Sequence, residues 1–393
     1  MMIIIVGPNA GSHMGTGGGV RVALNMAEAL LETGYEIGLV AIDGFSMIKL
    51  DEIHGTHLSQ YEKSGSLKIF YVLGRFKGLH VPFPVKVGLI ALFLTRLLSK
   101  IKVELMIFHD DVPKPIFYGR WPVKTILYSH FPYMARIVFN MCDPFEAEDR
   151  SRMLKEHMMR VLMRPTIYTY KRPDGLLIAN SSVTKSFMEK VWGNGIRLLY
   201  PLVTLPSLKV NLESKEDLVV VIGTIQPNKR LGDILAGLAM TKSGKLCIIG
   251  RPSSKWYFEL IKNRIKALGL EERVQLMTDV DDAQKVSILL RSKAIISASQ
   301  FEPFGISIIE GMAAGCVPVV FQGEMSGPWV DICERGTYGL GFKNNEELAL
   351  AVDSLFANDE FFQSLSKQSL SHSNTFSYDV FKSKWLKLTD PFL

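Results

Sequence analysis

Short apolar runs recur along the chain, and most lack the polar alternation of a strand covered on one side only. Met2–Val6, Ile37–Ala41, Leu67–Val72, Leu105–Phe108, Thr125–Tyr128 and Gly175–Ala179 form a first series. Leu218–Ile222, Lys245–Ile249, Val274–Met277, Ala294–Ser297 and Val317–Phe321 form a second. Parallel strands buried on both faces require runs of this kind. Between them the apolar spacing turns helical. Val20–Thr33 carries such a stripe and stops at Gly34, a residue suited to a helix C-terminus. Tyr378–Leu388, with Phe381, Trp385 and Leu388 toward one face, predicts a closing helix. Two successive series of strand and helix predict an α/β protein with two Rossmann-like, doubly wound domains. Pro201 and Pro206 interrupt the pattern between Tyr200 and Lys215, which puts the domains at residues 1–200 and 201–375.

Composition narrows the class. A chain of 393 residues suits two cores of ordinary size, and 47% hydrophobic with 21% charged residues is a globular composition. The net charge of +6 and a pI near 8.9 fit an anionic membrane surface, a pyrophosphate-bearing ligand or ordinary surface bias equally well. Neither a CxxC pair nor a His-rich spacing accompanies Cys142, Cys247, Cys316 or Cys333, so no zinc site is expected and a reducing cytosol fits best. The opening run lacks the basic flank of a secretory leader. It and Val87–Thr95, the longest apolar stretch, fall short of the roughly 20 residues a membrane span needs. Any membrane contact is therefore expected to be peripheral.

Three segments carry candidate chemistry. Gly15-Thr16-Gly17-Gly18-Gly19-Val20-Arg21 lies between the first strand and the first helix, where glycines let backbone approach an anion. Its spacing is not GxGxxG, and the nearest acidic residue at the end of the second strand, Asp43, is a weak ribose reader, which disfavours a dehydrogenase. A bare turn remains open there. The richest segment is Ser299–Gly315, containing Glu302-Pro303-Phe304-Gly305 and Glu310-Gly311-Met312. It follows a strand, so Glu302 is expected on a loop at the strand's C-terminal end, where open α/β sheets bind ligands. Gly305–Ala314 is expected as a helix, whose exposed first amides at Gly305, Ile306 and Ser307 suit a phosphate. Two carboxylates flanking an anion hole match a nucleotide-sugar, which runs sugar, diphosphate, ribose. The bland alternative is a capping Glu302 and a helix-surface Glu310. A third segment, Gly223–Arg230, offers Lys229 and Arg230 at the opening of the next helix, either toward a diphosphate or as solvated cations.

His109 and His130 both follow strands of the first series and are placed to project toward one edge, although each could equally be structural. Asp279-Val280-Asp281 spells DxD, a spacing used for metals, but reads as a solvated turn.

These residues resemble glycosyltransferase family 4, the retaining enzymes of the two-domain GT-B type. The hallmark is Glu302, seven residues, then Glu310, within Glu302-Pro303-Phe304-Gly305…Glu310-Gly311-Met312-Ala313-Ala314-Gly315. Gly17–Arg21, Tyr128-Ser129-His130-Phe131-Pro132-Tyr133 and Ser326-Gly327-Pro328-Trp329-Val330-Asp331-Ile332 are similar to the subgroup that adds α-1,2-mannose to dolichol-linked oligosaccharide. The resemblance implies two facing domains with a cleft between them and residues 376–393 packing back on the first. It further implies that Lys229 holds the donor diphosphate, Glu302 the transferred sugar and Glu310 the ribose. Phe304, Gly305 and Ile306 would line the phosphate site, His130 would lie near the sugar, and Gly17, Gly18 and Gly19 near the donor or acceptor. Thr224 stands where many relatives have an arginine, so Arg230 or Arg251 would supply that charge. No metal or other cofactor is expected, the substrate being a donor such as GDP-mannose, and no nucleic acid.

The expected reaction is front-face transfer of a hexose, mannose favoured, to a glycan or polyprenyl-linked acceptor. Val81–Lys102 and Met153–Arg172 mix bulky apolar residues with cations and would rest on an anionic membrane, unless they are ordinary helices with basic outer faces. The expected location is cytoplasmic, either free or peripheral on the cytoplasmic membrane face. A soluble enzyme making a disaccharide or glucan, or a non-catalytic nucleotide-sugar-binding subunit, would share the same donor segment.

Overall fold

The computed structural model describes residues 2–7, 17–41, 44–72, 83–109, 121–132, 172, 174–203 and 209–393, with side chains from residue 89 onward in the helix Phe83–Leu98. Gly15, Thr16, Asp43, Tyr133 and all of Met153–Arg172 except Arg172 lie outside the described residues. The described chain forms two compact units: residues up to 203 together with 378–393, and residues 209–377.

The first unit is a parallel sheet of β1 (Met2–Val6), β2 (Glu36–Ala41), β3 (Leu67–Tyr71), β4 (Val103–His109), β5 (Lys124–Ser129), β6 (Leu176–Ala179) and β7 (Arg197–Leu198). The strands lie in the order β3-β2-β1-β4-β5-β6-β7. Successive side chains of a strand point to opposite faces. Ile3 and Ile5 enter a core with Leu24 of the helix Gly18–Leu31 and with Phe381 and Trp385. Ile4 and Val6 enter another with Ile90 and Leu94 of the helix Phe83–Leu98. Both faces are dry, so the strand reads as an unbroken apolar run.

The C-terminal helix Tyr378–Thr389 belongs to this unit. Trp385 is fully buried in its core, and Lys382 forms an ion pair with Glu32 at the end of the helix Gly18–Leu31. The Tyr378 hydroxyl donates to Glu32 at 3.1 Å.

The second unit is a parallel sheet of β8 (Glu216–Ile222), β9 (Lys245–Ile249), β10 (Val274–Met277), β11 (Ser292–Ser297), β12 (Val317–Phe321) and β13 (Leu340–Phe342), in the order β10-β9-β8-β11-β12-β13. From β8 the chain moves outward through β9 and β10, then returns to β11 and proceeds the other way. The reversal makes the C-terminal ends of β8 and β11 a topological switch point, where loops leave in opposite directions and open a crevice. Gly223–Lys229 leaves β8 there and Ala298–Gly305 leaves β11. In the first unit the corresponding reversal lies between β1 and β4, so the helix start at Gly17–Gly19 and His109 belong to its switch point.

Near the start of the second unit, Lys215 is buried and donates to Leu289 O at 2.9 Å and Ala314 O at 2.6 Å. Both acceptors are carbonyls at or near the C-terminal ends of helices, where a cation is favoured. Among the described residues no helix is long and apolar enough to cross a membrane.

Candidate functional site

The loop after β8 departs from the helix opening expected at Lys229 and Arg230. Pro227–Lys229 makes a tight 3₁₀ turn, and Arg230 takes a left-handed conformation with φ 51° before the helix Leu231–Met240 begins. Proline at the start of the turn fixes its entry. The turn aims Lys229 at the loop from β11, where its Nζ meets Glu302 Oε2 at 2.5 Å. Both side chains are about four-fifths buried, at 23% and 21% exposure. An ammonium and a carboxylate this close, and mostly out of water, form a charge-assisted hydrogen bond stronger than a surface pair. Close backbone packing supports the arrangement. A Cβ on Gly250, after β9, would overlap the carbonyl oxygen of Gly223, so the ends of β8 and β9 approach as only glycine allows.

Glu302 is fixed by its backbone as well as by Lys229. Its N–H donates to Met325 O at 3.2 Å and its carbonyl accepts from Gly327 N at 2.7 Å, a short parallel bridge to Ser326. The segment Ser326–Ile332 thus backs the Glu302 loop. Pro328–Ile332 forms a π-helical turn, and Pro328 lies so close that a Cβ on Gly305 would come within 2.7 Å of its ring.

Gly305 is the N-cap of the helix Ile306–Ala313 rather than its first residue; its φ is 101° and no side chain caps the helix. The first amides of a helix have no intrahelical acceptor, so those of Ile306 and Ser307 suit an anion. Phe304 is buried and packs edge-on against Phe376, with ring centroids 5.7 Å apart.

Glu310 is not the surface glutamate of the bland reading. It is buried, 5% exposed, and its Oε1 accepts from Lys285 Nζ at 3.4 Å. Arg230, one candidate for the charge that Thr224 does not supply, is engaged elsewhere: Nε pairs with Asp233 at 2.6 Å and the guanidinium lies over the Phe321 ring. Thr224 and Arg251 are exposed at the ends of β8 and β9. The DxD also has a structural use, since Asp281 caps the helix Asp282–Arg291 in a capping box with Gln284. Among the described residues no cluster of three or more His, Cys, Asp or Glu side chains could hold a metal ion.

In the first unit, the sequence reading correctly anticipates that His109 and His130 share an edge. Their Nε2 atoms are 3.3 Å apart, and the His130 ring also approaches Asn180 Nδ2 at 3.4 Å. Burial first, then the neighbouring His130, holds the His109 imidazole well below its ordinary value, so it stays neutral. A Cβ on Gly19 would stand 3.2 Å from His130 Nε2, so the first helix turn, from Gly17 through Gly19, approaches that ring closely.

Sequence reasoning missed Lys285 and the backing role of residues 325–327. The clue for Lys285 is a cation at the end of the first turn of a helix, where the macrodipole disfavours it.

Residues 207–371 match the family model of Glycosyl transferases group 1. The chain is 23% identical over 241 residues to the GDP-Man:Man(3)GlcNAc(2)-PP-Dol alpha-1,2-mannosyltransferase of Dictyostelium discoideum, covering 56% of this chain and 47% of that protein. It is 26% identical over 264 residues to the Candida glabrata protein of the same description, covering 61% and 50%. The chain thus spans about half the length of these curated relatives. In three dimensions it is similar to a sucrose-phosphate synthase from Thermosynechococcus elongatus, with a TM-score of 0.73 at 14% identity over 100% of this chain and 98% of the other. That likeness establishes a shared GT-B fold.

Proposed function

We propose, from the match of residues 207–371 to the family model of group 1 glycosyl transferases, that the chain transfers a hexose, mannose favoured, from a nucleoside-diphosphate sugar with retention of configuration. The Lys229–Glu302 pair at the switch point, beside the helix start at Ile306, is the observation that carries this reading. In it Lys229 and the Ile306 and Ser307 amides face the diphosphate, Glu302 accepts from the sugar hydroxyls, and buried Glu310 accepts from the ribose.

The acceptor hydroxyl attacks the anomeric carbon on the face from which the nucleoside diphosphate leaves. As the bond from that carbon to the phosphate oxygen breaks, the acceptor's proton passes to the departing phosphate. No separate base is needed, and Lys229 with the helix amides stabilises the developing negative charge. The proposed donor is GDP-mannose and the proposed acceptor a lipid-linked glycan, supported by the GDP-Man donor and PP-Dol acceptor in the relatives' descriptions; the proposed place of action is the cytoplasmic membrane face. His130, Gly17, Gly18, Gly19 and Arg251 keep the roles their resemblance implies. The role of Arg230 is reduced by its bond to Asp233.

Lys229→Ala and Glu302→Ala are each expected to lower transfer by roughly 10²–10³-fold, the scale of losing one preorganised electrostatic contact, with the thermal transition retained. Full turnover in either variant overturns the assignment. A thermal-shift series with GDP, UDP and ADP tests the donor base, since binding to the folded chain raises the transition by mass action. An acceptor assay with and without lipid-linked glycan separates the membrane reading from a soluble transferase.

A further inference from the structure

Lys285 stands in the first turn of the helix Asp282–Arg291, a position electrostatically unfavourable for a cation. Its side chain is nevertheless only 16% exposed and lies between two carboxylates. Asp282 Oδ1, on the solvent side and 65% exposed, is 3.0 Å from Nζ, while Glu310 Oε1, whose side chain is 6% exposed, is 3.4 Å away. The helix start is itself anchored: Asp281 Oδ1 accepts from Gln284 N at 2.7 Å, and Lys285 N donates to Asp281 O at 2.9 Å. A capped turn therefore fixes the lysine backbone, Asp282 holds the ammonium from outside, and the ammonium meets the carboxylate of a helix that follows a different strand.

We propose that Lys285 is a positioning residue that holds the Glu310 carboxylate aimed at the ribose, and so sets the preference for ribonucleotide over deoxyribonucleotide donors. This rests on the reading of Glu310 as the ribose acceptor. A Glu310 carboxylate free to swing accepts poorly from a vicinal diol. The Lys285 contact opposes that motion, and Asp282 prevents the lysine from relaxing into solvent.

The test uses the full chain with GDP, 2′-deoxy-GDP and 3′-deoxy-GDP, replaced by the corresponding uridine set where UDP is the nucleotide that binds. The wild type is expected to prefer the ribonucleotide by roughly tenfold or more, as for hydrogen bonds to a charged group. Glu310→Gln and Lys285→Met should both shrink that ratio toward unity, and Lys285→Arg should restore most of it. In transfer assays Lys285→Met raises the donor KM while kcat at saturation changes little. Asp282→Asn, at an exposed position, gives a partial loss of discrimination and serves where Lys285→Met does not fold. If Lys285→Met weakens all three nucleotides equally while Glu310→Gln lowers the ratio, the positioning role is overturned and the Glu310 reading stands. If wild type and Glu310→Gln show the same ratio, the Glu310 reading fails, and this inference with it.

Discussion

At Gly305 the backbone turns with φ 101° against the Pro328 ring, and at Gly327 a Cβ would overlap the Pro303 carbonyl. The candidate sugar loop is therefore shaped by two glycines that tolerate no side chain, one for its conformation and its neighbour, the other for backbone crowding alone. Gly305→Ala is expected to destabilise the chain by about 1–3 kcal/mol, the scale of a strained backbone conformation, and to weaken nucleotide binding; a denaturant midpoint and a nucleotide titration measure both. A second residue-level consequence concerns His109. The unfolded chain takes up a proton near pH 6.5, whereas the buried imidazole does so only at lower pH. Acid therefore favours the unfolded chain, and stability is expected to fall as pH drops below 6.5 toward the depressed folded-state value. His109→Gln should flatten this part of the pH profile; an unchanged slope in urea titrations at pH 5 and 7 would count against it.

The strands were the most legible elements. Two-sided burial leaves no polar interruption, so β1, β9 and β12 are read from the sequence with the bounds they have in the fold, as is the edge strand β10 despite its exposed Gln275. β7 and β13 were not expected, because Arg197–Leu198 and Leu340–Phe342 are too short for a periodicity to register. The site divides in the same way. Glu302, Gly305 and Glu310 lie within one segment whose strand, turn and helix are local, and their spacing made them visible. Lys229 meets Glu302 across 73 residues and Lys285 meets Glu310 across 25, pairings made by the sheet order and by no local pattern. The left-handed Arg230 was missed for another reason: arginine rarely adopts that conformation, and its bond to Asp233 and the Phe321 ring hold it there. The helix that carries Lys285 depends on its capping box. Asp281→Ala should cost about 1 kcal/mol, and by loosening that turn it should weaken nucleotide binding without affecting the far side of the sheet.

Taken whole, the molecule consists of two units with separate cores, and the helix Tyr378–Thr389 completes the first after the second has been traversed. Trp385 is fully enclosed there among Ile3, Ile5 and Leu24. Trp385→Ala is expected to cost about 3–5 kcal/mol, a loss confined to the first unit. Differential scanning calorimetry should then resolve a lowered transition beside one that still shifts upward with nucleotide, and two-state analysis no longer applies. The same return of the chain has a consequence for its birth on the ribosome. Residue 203 emerges on the order of tens of seconds before residue 378 at ordinary synthesis rates. Throughout that interval the apolar face that Phe381 and Trp385 will cover has no lid, and by its end the later-made unit possesses all its strands. The first part of the polypeptide to be synthesised is thus the last to close, and until it does, that bare face is a ready target for chaperones.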